Sequence, residues 1–177
     1  MSVQNRIRTR KLRLEAEGYL ELGMPRHALQ ALGRLGDPAL FDAESLCLWG
    51  EGLQEMGRFL EALLPLERAA RLSPDNVRVN LALGWCYKRV GRLDLAVGAL
   101  ERSLKSNPGE ALLHYNLACY LSLAGLCHKA MAHLARALAM KPIFSKLVNE
   151  ESDFDRLRAD PQFQAICEEA EGHGFDP

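Results

Sequence analysis

Cysteine and histidine side chains that could bind a metal are concentrated in one part of the chain. Cys127, His128 and His133 lie close together in sequence, and His114 and Cys119 come shortly before them. Thiolate and imidazole groups are the ligands that zinc prefers. Their spacing matches no standard zinc motif, and His114 falls where a predicted helix meets its neighbours. We therefore interpret His114 as a packed core residue and predict neither a metal site nor a cofactor.

Motifs that would indicate catalysis are missing from the sequence. It contains no nucleophile elbow, phosphate-binding glycine loop, His-Glu-x-x-His or Cys-x-x-Cys pattern. The five cysteines are an odd number without close pairs, which indicates reduced thiols in a cytoplasmic protein. The N-terminus lacks the apolar core of a signal peptide, and no apolar run approaches the ~18 residues of a membrane helix. We predict no catalytic residues and no enzymatic activity.

The charge of the chain argues against a general nucleic-acid-binding protein. The 177 residues carry a formal net charge of -1, whereas such proteins are usually basic. One basic cluster near the N-terminus is followed at once by three glutamates, and its members are Arg6, Arg8, Arg10, Lys11 and Arg13. Because acidic residues directly follow the basic ones, we interpret this stretch as a solvated first helix. The sequence thus predicts neither a nucleic-acid partner nor a membrane partner.

Small, large and turn-forming residues return every 34 residues, which indicates a helical-hairpin repeat. The turn glycines are Gly23, Gly57, Gly91 and Gly125. The small residues of the second helices are Ala28, Ala62, Ala96 and Ala130, each followed four residues later by a leucine. Small residues let two helix backbones approach closely, and the leucine fills the neighbouring groove. Pro74, Pro108 and Pro142 end three of the four units, and Leu40 stands where the first unit would have its proline.

These residues resemble the tetratricopeptide repeat family. The third unit matches the family pattern at Leu83, Gly84, Tyr87, Ala96, Leu100 and Pro108. The resemblance covers roughly residues 9–142, and the C-terminal segment is similar to the tail that closes many bacterial repeat proteins. It implies an all-α fold, a right-handed α-solenoid of stacked antiparallel helical hairpins. The predicted parts are a flexible arm (1–8), a degenerate first repeat (9–42), three further repeats (43–76, 77–110 and 111–144), and a helical cap with a frayed tail (145–177).

In this family the first helix of each hairpin lines a concave groove, and the resemblance transfers that role to particular residues. The candidate ligand-groove residues are Glu51, Glu55, Arg78, Trp85, Lys88, Arg89, Tyr115, Asn116 and Cys119. They predict a surface that changes from acidic in the second repeat, through basic and aromatic in the third, to apolar in the fourth.

Trp85 is the most informative of these residues. It directly follows the small Gly84, so its side chain points about 100° away from the packing seam. With Lys88, Arg89 and Tyr115 nearby, it is the type of residue that anchors a binding partner. The alternative is that Trp85 packs on the neighbouring repeat, and the sequence leaves both open.

The sequence therefore predicts a non-catalytic protein–protein interaction module. Its expected ligand is a protein or peptide segment with acidic and apolar residues. Two alternatives remain open. The first is a structural subunit that self-associates into a homo-oligomer, and the second is a secretion-type chaperone for a client protein.

Overall fold

The computed structural model describes residues 3–172, and only the backbone of Glu171. All regular structure in that range is helical, so the all-α prediction is confirmed. The helices are α1 (Val3–Glu21), α2 (Pro25–Gly33), α3 (Ala43–Glu55), α4 (Phe59–Leu72), α5 (Val77–Arg89), α6 (Leu93–Ser106), α7 (Ala111–Leu123), α8 (Cys127–Met140), α9 (Ser145–Glu150) and α10 (Pro161–Gly172). Short 3₁₀ turns lie at Pro38–Leu40, Pro142–Phe144 and Ser152–Phe154.

Both ends of the described chain are more helical than the sequence suggested. Helix α1 begins at Val3, so residues 3–8 of the predicted arm are helical. Gln4, Arg6 and Arg8 of this stretch are good helix formers, and Arg8 Nη2 donates a hydrogen bond of 2.7 Å to the carbonyl oxygen of Arg34. At the other end, α10 includes residues 168–172 of the predicted frayed tail. Residues 1–2 and 173–177 lie outside the described residues.

The helices form two compact units, Met1–Val90 and Gly91–Pro177. In the first, α1 packs on α2 and α3 on α4, while α2 also contacts α3 and α4 contacts α5. In the second, α6 contacts α7, α7 packs on α8, and α10 packs on α8. Each unit thus buries the apolar faces of consecutive hairpins against each other, as stacked repeats must.

The helix ends use the turn and capping residues that the sequence supplies. Gly57 has φ of 72°, a left-handed conformation that other residues resist, and Gly23, Gly91 and Gly125 have φ of 67°, 75° and 76°. Asp42 caps α3 by accepting a hydrogen bond of 2.9 Å from the backbone N–H of Ser45, as its position predicts. Helix α4 ends at Leu72, two residues before Pro74.

Close packing inside the α3–α4 hairpin depends on the absence of a side chain at Gly50. A Cβ atom added there would lie only 2.4 Å from Cγ of Leu66. Leu66 itself has no exposed surface, and the same holds for Leu32, Leu100 and Leu134 at the matching positions. The predicted pairing of a small residue with a large one is therefore present at Gly50 and Leu66, where it sets the distance between α3 and α4.

Helix α4 also contains a proline that the repeat pattern does not predict. Pro65 lies in its interior and is buried. Because proline has no N–H, it cannot bond the carbonyl oxygen of Glu61, a loss that costs about 3 kcal/mol in a helix interior. The helix continues through Pro65 because Ala62, Leu66 and Ala69 around it are fully buried, and tertiary packing overrides helix propensity.

Candidate functional site

Three of the charged side chains on the first helices of the N-terminal unit are bonded to one another. Arg78 on α5 forms two hydrogen bonds with Glu51 on α3, of 2.7 and 2.8 Å, and a third of 2.5 Å with Glu17 on α1. The hydrogen bonds to Glu51 and Glu17 raise the pKa of Arg78 above its usual value. The acidic character predicted for the second repeat is thus partly neutralised at Glu51 by an arginine of the third.

Two buried thiols of the N-terminal unit, one of them beside Glu51, are kept protonated. Burial, with the neighbouring Glu51 carboxylate as a smaller cause, raises the pKa of Cys47 well above its usual range. Its Sγ atom lies 3.7 Å from Glu51 Oε1, to which the thiol donates. Burial raises the pKa of Cys86 to about 12. Neither thiol is a nucleophile at neutral pH, since the reactive form is the thiolate.

Trp85 packs against an aromatic ring of the preceding hairpin. The centroids of the Trp85 and Phe59 rings are 5.0 Å apart and the ring planes meet at 71°, an edge-to-face contact. Both side chains are half-buried. The guanidinium carbon of Arg89 lies 4.6 Å from the Phe59 centroid and 5.3 Å from the Trp85 centroid, so the arginine covers both rings. We call Phe59, Trp85 and Arg89 the aromatic–arginine cluster.

An open cavity of about 480 Å³ lies beside this cluster. Its walls come from the α3–α4 turn and the end of α5, and the lining residues are Gly57, Arg58, Phe59, Leu60, Glu61, Arg89 and Val90. Leu60 is 74% exposed despite being fully apolar. The sequence prediction missed Phe59 and Leu60 because both begin the second helix of a hairpin. The groove positions carried over from the family all lie on first helices.

The other predicted groove residues of the N-terminal unit lie near the ends of α3 and α5. Glu55 is exposed and Lys88 is half-buried. Among the ion pairs of the described residues there is none between Glu55 and Arg89, although they hold the same position in adjacent repeats. Arg89 therefore has its contacts with rings, and its charge is not compensated by Glu55.

The candidate residues on α7 are covered by the chain itself. Tyr115 is 6% exposed and Cys119 is 2% exposed. The Tyr115 ring meets the rings of Phe144 and Phe154 edge-to-face, with centroids 5.3 and 5.9 Å apart. Asn116 is half-buried and donates to the carbonyl oxygen of Leu112 at 2.9 Å. Tyr115 and Cys119 can therefore meet a ligand only if the C-terminal segment moves.

That C-terminal segment is fixed to α7 by polar contacts as well. Ser122 Oγ donates a hydrogen bond of 2.7 Å to the carbonyl oxygen of Asp153, and both residues are buried. Burial raises the pKa of Tyr115 beyond its usual range, and the nearby Cys119, Glu151 and Asp153 contribute to the shift. The tyrosine hydroxyl is thus neutral throughout the physiological range.

One group of potential metal ligands forms among residues 3–172, and it differs from the set considered in the sequence. The ligand atoms of Cys119, Glu151 and Asp153 lie within 4.8 Å of one another. Glu151 Oε1 also accepts a hydrogen bond of 3.1 Å from the backbone N–H of Asp153, so this carboxylate caps the Ser152–Phe154 turn. That contact gives Glu151 a structural role in holding the C-terminal segment.

The N-terminal basic cluster is partly used for internal contacts. Arg13 pairs with Asp42 at 3.1 Å and also contacts Glu44, and Arg8 bonds the end of α2. These contacts tie α1 to the segments that follow it within the N-terminal unit. None of the helices between residues 3 and 172 has the length and apolar character required to cross a membrane.

Comparison with known families agrees with the hairpin geometry. Residues 53–118 match the family model described as tetratricopeptide repeat. The matched residues therefore consist of tetratricopeptide repeats. The matched range runs from α3 to α7 and includes the glycine turns at Gly57 and Gly91.

Individual relatives share this repeat but are much longer proteins. A TPR repeat-containing thioredoxin, TTL4, of Arabidopsis thaliana is 26% identical over 84% of this chain and 20% of its own length. The peroxisomal targeting signal receptor of Yarrowia lipolytica is 30% identical over 64% of this chain and 19% of its own. The chain thus spans about a fifth of the length of these curated relatives. A solved MamA structure, AMB-1, superposes with a TM-score of 0.71 at 23% identity, covering 94% of this chain and 98% of MamA, and this likeness shows the fold.

Two imidazoles face each other between α7 and α8. The Nδ1 atoms of His114 and His133 are 2.8 Å apart, and His114 Nε2 lies 3.2 Å from the carbonyl oxygen of Pro108. That carbonyl can only accept, so His114 holds a proton on Nε2 and, when neutral, accepts the Nδ1 proton of His133. Only one proton fits between the two Nδ1 atoms. Burial and the neighbouring His114 lower the pKa of His133 to about 4.

We expect acid to destabilise the α7–α8 hairpin through His133. The pKa of a histidine in the unfolded chain is about 6.5, whereas that of His133 in the folded protein is about 4. Between these two pH values, His133 therefore binds a proton in the unfolded chain but not in the folded protein. The contribution of neutral His133 to the free energy of unfolding is therefore complete above pH ~6.5 and is lost as the pH falls toward 4. Urea unfolding followed by circular dichroism at pH 7 and pH 4.5 measures the loss. This loss of stability should be smaller in His133→Gln than in the wild type. His128 is exposed on the same helix, so His128→Gln should show the full loss. An equal loss in both variants would contradict the assignment.

Proposed function

We propose that the chain is a non-catalytic protein–protein interaction module, and that it holds an extended segment of a partner protein on its N-terminal unit. The aromatic–arginine cluster is the observation that supports this most. It combines a half-buried tryptophan with an exposed arginine on the same helix, α5. Tryptophan and arginine are enriched among the residues that dominate binding energies at interfaces. Neither is required by the repeat itself, whose packing positions are Leu83, Gly84 and Tyr87.

The remaining predicted residues of this unit would surround the cluster with charge. Glu51 and Arg78 are already bonded to each other, so they would act as a polar rim that directs register and specificity. Glu55 at the end of α3 and Lys88 near the end of α5 would add polar contacts. Tyr115 and Cys119 are not included in the proposed contact surface, because both are buried and the C-terminal segment covers Tyr115. Asn116 is not included because its side chain bonds its own helix, at the carbonyl oxygen of Leu112.

The name of the Yarrowia lipolytica relative is consistent with recognition of a protein segment. That relative is called a receptor for a peroxisomal targeting signal. For this chain we infer only the class of ligand, a segment of another protein. The partner itself stays open.

A pull-down from cell extract, followed by mass spectrometry, tests the proposal. Wild-type protein is compared with Trp85→Ala plus Arg89→Glu, which removes the ring and reverses the charge of the cluster. Proteins retained by the wild type and lost from the double variant are the expected partners. Arg26→Glu, a charge reversal at an exposed residue of α2, is the matched control and should retain them. If both variants retain the same proteins as the wild type, the aromatic–arginine cluster is not the binding surface.

Self-association is the second candidate, and the exposed leucines of the first hairpin favour it. Leu14, Leu22 and Leu40 are 58%, 73% and 85% exposed. Light scattering over a range of concentrations separates the candidates. A dimer of concentration-independent mass that lacks any extract partner would favour the structural-subunit role.

A further inference from the structure

We propose that the cavity beside the aromatic–arginine cluster is an anchor pocket for a carboxylate that stands next to a large apolar side chain in the partner segment. This rests on the proposed function, because it names the chemistry of the segment that is bound. The anchor for the ligand then lies at the α3–α4 turn and not in the groove of the first helices. The cavity there has a volume of about 480 Å³ and is lined by Phe59, Leu60 and Arg89 among others.

The contacts of Arg89 leave its hydrogen-bonding edge available. Its guanidinium lies over the faces of Phe59 and Trp85, with its carbon atom 4.6 and 5.3 Å from the two ring centroids. Because the two ring planes meet at 71°, the flat face of the group can stack on only one of the rings. The N–H donors that do not point toward the other ring can still bond a ligand in the plane of the group. The rings also hold the long side chain in place, which lowers the entropy lost when a ligand binds. Arg89 is therefore preorganised to receive a carboxylate with two parallel hydrogen bonds.

The charges around the cavity favour an anion at this position. Arg58 and Glu61, which also line it, are bonded to each other in a two-point contact of 2.7 and 2.5 Å. This pair is internally neutral. Arg89 takes part in no ion pair within the part of the chain that the structure describes. The cavity wall thus carries one uncompensated positive charge, and a partner carboxylate is its complement.

The apolar part of the wall specifies the second element of the ligand. Leu60 is 74% exposed at the start of α4, and the edge of Phe59 lies next to it in sequence and in the same cavity wall. An apolar side chain of the partner that covers Leu60 would remove both surfaces from water. One cation beside two apolar residues fits a peptide better than nucleic acid, which is bound through several phosphate contacts. The occupant we infer is therefore an acidic residue within two positions of Leu, Ile, Met or Phe.

Selection from a display library of random twelve-residue peptides, panned on the intact chain, tests the pocket. The enriched peptides are synthesised and titrated against the Trp49→Phe protein, in which Trp85 is the sole remaining tryptophan of the two. Its fluorescence then reports events at the cluster. We expect enriched peptides with the acidic–apolar pair, and affinity reduced at least about tenfold when the acid is changed to its amide or when Arg89 is changed to Glu. Arg89→Lys should lose less, Leu60→Ser should weaken binding, and Arg26→Glu should not.

Each other outcome counts against the pocket. Peptides that lack the acidic–apolar pair, or that bind Arg89→Glu as tightly as the wild type, overturn it while leaving the proposed interaction function in place. Failure to enrich any peptide also overturns the pocket. The wider proposal falls with it only if the extract pull-down retains no protein either.

Tighter binding of an oligothymidylate of twelve nucleotides than of any selected peptide would replace the peptide assignment with nucleic acid. Arg89 is exposed, and unchanged thermal unfolding of its variants confirms that a loss of binding is local.

Discussion

Replacing Phe154 with alanine is expected to lower the free energy of unfolding of the C-terminal unit by roughly 3–5 kcal/mol, the usual cost of removing a buried aromatic side chain. Phe154 has no exposed surface. Its ring contacts Tyr115 on α7, with centroids 5.9 Å apart, and Phe163 on α10 at 5.7 Å. The Phe154 ring therefore links α7 to α10, and its removal leaves a cavity between these two helices.

Hydrogen exchange is the appropriate measurement, because two compact units need not unfold together. Amides of α7 and α10 should exchange faster in Phe154→Ala, while those of α3 and α4 should be unchanged. The buried thiol of Cys119, 2% exposed in the folded protein, should also become reactive to a thiol reagent. Leu147→Ala, at a residue that is 48% exposed on α9, is the control and should change stability by less than about 0.5 kcal/mol. If Phe154→Ala behaves like this control, the C-terminal segment does not stabilise α7.

The parts of the fold that the sequence predicted well are those set by short-range rules. Gly57 takes a left-handed conformation because the turn needs one, and Asp42 caps α3 because its side chain reaches the N–H of Ser45. Gly50 is small because Leu66 occupies the space beside it. All three rules operate within one hairpin, so a repeat with a period of 34 residues displays them several times and makes them visible.

The site was harder to predict because it depends on contacts between hairpins. Nothing near Trp85 in sequence indicates Phe59, which comes from the previous hairpin and begins a second helix. The bonds of Arg78 to Glu17 and Glu51 join three different first helices. Such charges resemble free groove residues when each repeat is considered alone.

The cover over α7 was missed for a related reason. The C-terminal segment was predicted as a cap, but its sequence does not show which face of the last hairpin it would occupy. Phe154 contacts Tyr115, but their spacing along the sequence does not follow the period of the repeat. A groove assignment carried over from a family therefore holds for a helix only when no other segment of the chain covers its face.

Replacing Trp85 with alanine is expected to reduce both stability and partner binding, and the two effects can be separated. Because the side chain is only half-buried, we expect the free energy of unfolding to fall by roughly 2 kcal/mol, less than for a core aromatic residue. The edge-to-face contact with Phe59 should account for about 0.5–1.5 kcal/mol of this, measured as the coupling energy of Trp85→Ala with Phe59→Ala. Affinity for a partner recovered in the pull-down should fall by about 2 kcal/mol or more, roughly 30-fold.

Trp49 provides the matched control for this prediction, because it makes the same kind of contact without an arginine stacked on it. It is also half-buried, and its ring meets that of Phe41 at 73° with centroids 5.8 Å apart. Trp49→Ala should therefore destabilise the N-terminal unit to a similar extent while leaving partner affinity unchanged at a temperature where both variants are folded. Isothermal titration of the two variants against one partner makes the comparison. Equal losses of affinity would mean that Trp85 acts only through packing on Phe59, whereas a loss confined to Trp85→Ala would identify its ring as part of the binding surface.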